Sequence, residues 1–149
     1  MISSPPRELL FLDTCVLIYF LEGNDEFGPA AKRLLEKVEK GSLTASISTL
    51  TLTELLTGPY RSNNDLLALE YHALLFHFPN LNLVDINVDI AVEAARIRGT
   101  YNYSTPDSLL LSAALQVKAS AFITTDRKLL SFPELPVLHL TERIYNNGE

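Results

Sequence analysis

Cysteine is almost missing from this 149-residue chain: Cys15 stands alone inside an apolar run. Without a second thiol, neither an intramolecular disulfide nor an all-cysteine zinc site can form, and a reducing cytosol is the compartment that fits. Histidine is scarce as well. His72, His77 and His139 are scattered, and the first two, five apart on one predicted helix, make poor co-ligands, so all three read as packing or surface residues. Long apolar runs are lacking too. No segment reaches the roughly 20 consecutive apolar residues of a membrane span. The stretch after Arg7 resembles a leader peptide only faintly, because Glu8 and Asp13 interrupt it and no small-residue cleavage site follows. The expectation is a soluble, cytoplasmic, unprocessed protein. No repeat, linker or low-complexity segment divides it, and 47% hydrophobic content is enough for one core, so residues 1–149 are expected to form a single domain.

Positive charge is the remaining shortage. A formal net charge of −6 argues against a plain electrostatic nucleic-acid binder, which advertises a basic surface. It does not argue against a metal-dependent one. Two divalent ions held by four carboxylates would move the formal sum from −6 to −2 and turn the site from phosphate-repelling to phosphate-attracting.

The elements alternate. "ELLFL" is short, apolar and ended by Asp13, as in a fully buried strand. "GPAAKRLLEKVEKG" reads as a helix with Pro29 in its first turn and Gly41 as its stop. In "SLTASIS", Leu43, Ala45 and Ile47 alternate with polar residues as in a strand. "TLTLTELLTG" reads as strand turning to helix, stopping at Gly58-Pro59. After the turn "RSNND" comes the helix "LLALEYHALLFHF", with Leu67, Tyr71 and Leu74 at i, i+4, i+7 and Pro79 beyond its end. "LNLVDI" is a third strand, and "NVDIAVEAARIRG" a helix with Ile90, Ala94 and Ile97 on one face and Gly99 closing it. "TPDSLLLSAALQVKA" starts with Thr105 as N-cap and Pro106 at the first helical position, and Leu110, Ala113, Ala114 and Val117 share a face. "AFITT", ended by Asp126, and "PVLHL" complete the strands. Such alternation predicts an α/β/α sandwich around a mostly parallel sheet.

Ligands of such sheets sit beyond the carboxyl ends of the strands. Asp13 and Asp126 both end strands there, Asp107 lies at a helix N-terminus, and Glu54 lies early in the helix after the second strand. Each has a structural role open to it: Asp13 as a cap near Thr14, Asp107 as a complement to its helix dipole, Thr51 to Glu54 as a capping box, Asp126 in a turn with Arg127. Together they repel one another unless a cation joins them. Hard oxygen donors without thiols or an imidazole cluster point to Mg²⁺ or Mn²⁺. Two such ions roughly 4 Å apart clamp an in-line phosphoryl displacement.

The chain resembles the PIN-domain nucleases, the family that includes the VapC-like toxins of bacterial toxin–antitoxin pairs. The segments carrying the resemblance are "FLDTCVLIYFLEG", "ISTLTLTELLTG", "YSTPDSLLLSAALQ" and "AFITTDRKL", in the family's order. The resemblance implies a hydrolase, an endoribonuclease cutting RNA, with Asp13, Glu54, Asp107 and Asp126 as the catalytic, Mg²⁺- or Mn²⁺-binding positions. Thr14 and Thr125 border two of these acids as possible orienting groups, and Arg127 with Lys128 lies where phosphate would pass. A small antitoxin protein blocking the acidic cleft and a homodimer are implied in the same way. The scarcity of basic clusters departs from what an RNA-binding surface leads one to expect. A haloacid-dehalogenase-like phosphatase wants a second aspartate where Cys15 stands, and a receiver domain is matched only weakly by Asp85. The alternative from another class is a non-catalytic PIN-like binding or scaffold protein.

Overall fold

Burial of one short strand organises the sheet. In the computed structural model, which describes residues 8–142, β1 (Leu9–Leu12) has Leu10, Phe11 and Leu12 essentially inaccessible. A strand buried on both faces is flanked on both edges. β2 (Thr44–Ser48) pairs parallel on one side and β4 (Ala121–Thr124) on the other. β3 (Leu81–Val84) adds beyond β2, and β5 (Val137–His139) beyond β4, both parallel, giving the order β3-β2-β1-β4-β5. The "MISSPP" tail and Arg7 lie outside the described residues.

Among the described residues, six α-helices cover the two faces: α1 (Thr14–Glu22), α2 (Gly28–Lys40), α3 (Thr49–Arg61), α4 (Asp65–His77), α5 (Val88–Tyr101) and α6 (Thr105–Gln116). Strand alternation sorts the core. Leu10, Leu12, Ala45, Ile47, Ala121 and Ile123 meet α1, α2, Leu55 of α3 and Leu75 of α4. Phe11 and Phe122, stacked 5.9 Å apart, meet α5, α6 and the 3-10 turn Arg127–Ser131. The fold is the α/β/α sandwich expected from the alternation of elements, with a wholly parallel sheet.

Six details differ from the sequence reading. "TLTLT" is helical rather than extended, because Ser48 accepts from the Leu50 N–H and caps α3 at once. With Ser48 in that place, Thr51 is not the cap of a capping box. Pro59 sits inside the last turn of α3 instead of ending it, where it forgoes only one intrahelical bond. In α4 the buried residues are Ala68 and Leu75, whereas Leu74 is 41% exposed. That helix is apolar nearly all round, so periodicity could not choose its face. Gly99 does not close α5. The helix runs on to Tyr101, whose ring packs edge-on against Phe132, and Asn102 takes the left-handed cap at φ 64°. Finally, Ser104 caps α6 by accepting from the Asp107 N–H, so Thr105 is the first helical residue and Asp107 the third.

Candidate functional site

β2 and β4 flank β1 on opposite sides, so the chain reverses its direction of travel across the sheet between β1 and β4. The crevice beyond the carboxyl ends of strands at such a reversal is where open α/β sheets bind ligands. Asp13 sits in it. Its N–H extends the ladder by donating to the Ile123 carbonyl at 2.9 Å, and its side chain caps α1. The capping role weighed for Asp13 is therefore present, in the crevice where a ligand of such a sheet would meet it.

Two threonines hold the Asp13 carboxylate. The Thr14 N–H donates to Oδ1 at 2.8 Å, and the fully buried Thr124 hydroxyl donates to Oδ2 at 2.7 Å. Each threonine also reaches a second acid. Thr14 Oγ1 donates to Glu54 Oε1 at 2.7 Å, and Thr124 Oγ1 accepts from the Asp126 N–H at 2.9 Å. Glu54 is thus tied to Asp13 through the N–H and hydroxyl of Thr14, and the backbone of Asp126 through the Thr124 hydroxyl. Asp126 Oδ1 accepts from the Lys128 N–H at 3.0 Å, and the Lys128 ammonium stands 3.9 Å from Oδ2.

Burial dominates the electrostatics. Asp13 is 8% exposed, and desolvation lifts its pKa from 3.8 to about 6; the Thr124 bond opposes this, and the charge of Asp107 adds to it. Asp107 therefore lies near enough to Asp13 for their charges to interact. Cys15 is pushed up to about 11 by burial and by the Asp13 charge, so it stays a thiol. Thr125 donates to its sulfur at 3.5 Å and lies 3.0 Å from the Tyr19 hydroxyl. Because the Thr125 proton goes to sulfur, Tyr19 is the donor of the second bond.

Among the described residues, no three or more Asp, Glu, His or Cys side chains are gathered closely enough to hold a metal ion. The donors nevertheless suit a hard divalent cation in kind. Four carboxylates and neutral hydroxyls supply only oxygen, and Asp13 and Asp107 are like charges whose mutual cost a cation relieves.

The four acids occupy different settings: Asp13 buried, Asp107 and Asp126 half-buried, Glu54 exposed. Thr14 touches two of them. Thr125 instead serves Cys15 and Tyr19, and Arg127 is exposed at the start of the 3-10 turn. Arg96 pairs with Glu93 and Glu134, and Arg98 donates to the Tyr103 carbonyl. Sequence reasoning passed over Thr124 in favour of its neighbour. The signal available was strand alternation in "AFITT", which puts Thr124 on the face of Phe122.

The PIN domain family model matches residues 10–135 of this chain. A search of curated proteins returns no match. Among solved structures, a toxin–antitoxin complex from Klebsiella pneumoniae is 23% identical, covering 89% of this chain and 98% of its own, with a TM-score of 0.70. VapBC2 from Rickettsia felis, bound to a DNA fragment from its promoter, is 19% identical over 88% and 98%, with a TM-score of 0.70. A sarcin–ricin-loop-cleaving VapC toxin from Mycobacterium tuberculosis is 17% identical over 85% and 98%, with a TM-score of 0.66. At these identities the likeness is one of fold.

Proposed function

The chain belongs to the PIN domain family, and on that premise we propose that it is a metal-dependent endoribonuclease, a VapC-like toxin that hydrolyses RNA phosphodiesters. The observation that carries the reading is the threonine-linked set at the reversal point of the sheet, centred on Asp13: Thr14 joins it to Glu54, and Thr124 joins it to the Asp126 backbone. Asp13, Glu54, Asp107 and Asp126 are the residues that would hold Mg²⁺ or Mn²⁺. Such an ion supplies an activated water and neutralises charge developing on the phosphate.

The protein's own groups do the positioning. Thr14 and Thr124 fix both oxygens of Asp13, so its carboxylate needs no reorientation when a ligand arrives. Lys128, beside Asp126, offers a cation to a phosphate on that side of the site, and exposed Arg127 offers a second.

A small antitoxin partner and a homodimer belong to the same proposal. The solved relatives that are toxin–antitoxin complexes support the first. So does the surface of α3 and α4, which leaves Tyr60, Leu66, Leu69 and Phe76 between 56% and 65% exposed. A cytoplasmic site of action is consistent with the absence, among the described residues, of any helix long and apolar enough to cross a membrane.

The test is cleavage of a mixed RNA pool by purified protein with Mg²⁺ or Mn²⁺ against chelator, with Asp107→Asn in parallel. Metal-dependent cutting that falls at least about 100-fold in the variant, with thermal unfolding little changed, is the expected result. Equal cutting by the variant would remove Asp107 from the site. No cutting by either protein favours a PIN-fold binding or scaffold protein.

A further inference from the structure

One buried hydroxyl near the acids has no part in the scheme so far. Thr51 lies in the first turn of α3 with 0% exposure, and its Oγ1 stands 2.8 Å from Thr14 Oγ1. Thr14 has a single hydroxyl proton, and it goes to Glu54 Oε1, because a carboxylate oxygen only accepts. The polarity of the other bond follows: Thr51 donates and Thr14 accepts.

Nothing local requires this hydroxyl. The cap of α3 is Ser48, and Thr51 does not bond back to its own helix as Thr57 does to the Thr53 carbonyl. A valine of the same shape would fill the position without the cost of burying a hydroxyl. What the hydroxyl does accomplish is distal. Glu54 is exposed, and a solvent-facing glutamate left to itself samples many rotamers. By occupying the acceptor side of Thr14, Thr51 leaves the Thr14 proton to Glu54, while the Thr14 N–H holds Asp13.

We propose that Thr51 is a positioning residue for the acidic centre: through Thr14 it fixes the Glu54 carboxylate in the orientation that a divalent cation meets. The inference rests on the reading of the four acids as a metal-binding nuclease centre. It assigns Thr51 no contact with metal or RNA.

The experiment is a Mn²⁺ titration, read as loss of the free-ion paramagnetic resonance signal. It covers wild type, Thr51→Val, Thr14→Val, the double variant and Thr51→Ser, with thermal unfolding and RNA cleavage recorded for each. Thr51→Val is expected to weaken Mn²⁺ binding about 10-fold, and Thr51→Ser to bind as wild type does. The double variant is expected to bind no more weakly than Thr14→Val, because the relay is already cut there. Unchanged Mn²⁺ affinity in Thr51→Val, additive losses, or failure of serine to restore binding would each overturn the proposal. Should Thr51→Val not fold, Thr51→Ala enters the same titration under the same criteria. A wild type that binds Mn²⁺ yet cuts no RNA overturns the nuclease reading and leaves the positioning role standing. A wild type that binds no Mn²⁺ overturns both.

Discussion

At the scale of single residues, Asp13 bears the largest electrostatic load described here. Its folded pKa of about 6 lies above the ordinary 3.8. The neutral form is therefore favoured by the fold: stability is full below pH 3.8, declines as the carboxyl ionises, and is lowest above pH 6. The gap corresponds to roughly 3 kcal/mol at most. Asp13→Asn should therefore raise the midpoint of thermal unfolding by several degrees at pH 7.5 and by nothing at pH 4, as scanning calorimetry would register. A stabilising effect that persisted at pH 4 would contradict burial as the cause. The proposed metal binding runs the other way, since a cation needs the ionised form and its binding should weaken as pH falls below 6. Asp13 was legible from sequence as a lone charge ending an apolar run. Thr124 was legible only through alternation with Phe122, a weak signal because which of two adjacent threonines turns inward depends on where the strand stops, and element ends are uncertain by a residue or two.

At the scale of elements, caps decided what periodicity could not. "TLTLT" alternates like a strand, and only Ser48, bonded to the Leu50 N–H, sets it winding as α3. Ser48→Ala should destabilise the protein by about 1 kcal/mol in urea unfolding, and a change under a few tenths would mean that tertiary packing alone holds the first turn. The same element carries Thr51 and Glu54 on successive parts of its opening turns, so fraying there would reach the acids directly. α4 was legible as a helix but not in its orientation. Ala68 and Leu75 face inward, and a sequence apolar on every side holds no record of which side docks. The ends of α5 and α6 moved by one or two residues because Asn102 and Ser104 cap better than the residues beside them.

At the scale of the whole molecule, charge shapes how a polyanion is met. A chain of net −6 would release few counterions from RNA, so the proposed cleavage should depend weakly on monovalent salt and steeply on the divalent ion. A log–log plot of apparent RNA affinity against KCl should have a slope magnitude below about 3, and a slope like that of a basic-surface binder would show that the acidic balance is misleading. The sheet itself was readable from alternating strands and helices, but its order was not, since no local pattern states that β4 inserts beside β1. That insertion has a consequence for the life of the chain. Asp13 and Thr124 meet across 111 positions, so a polypeptide emerging from the ribosome has made Asp13, Glu54 and Asp107 well before the hydroxyl that orients the first of them. Closing so long a loop is among the slower events of folding. On the proposed nuclease reading, the acidic centre is then complete only with the last central strand, and a nascent or prematurely halted chain would be harmless to the RNA around it.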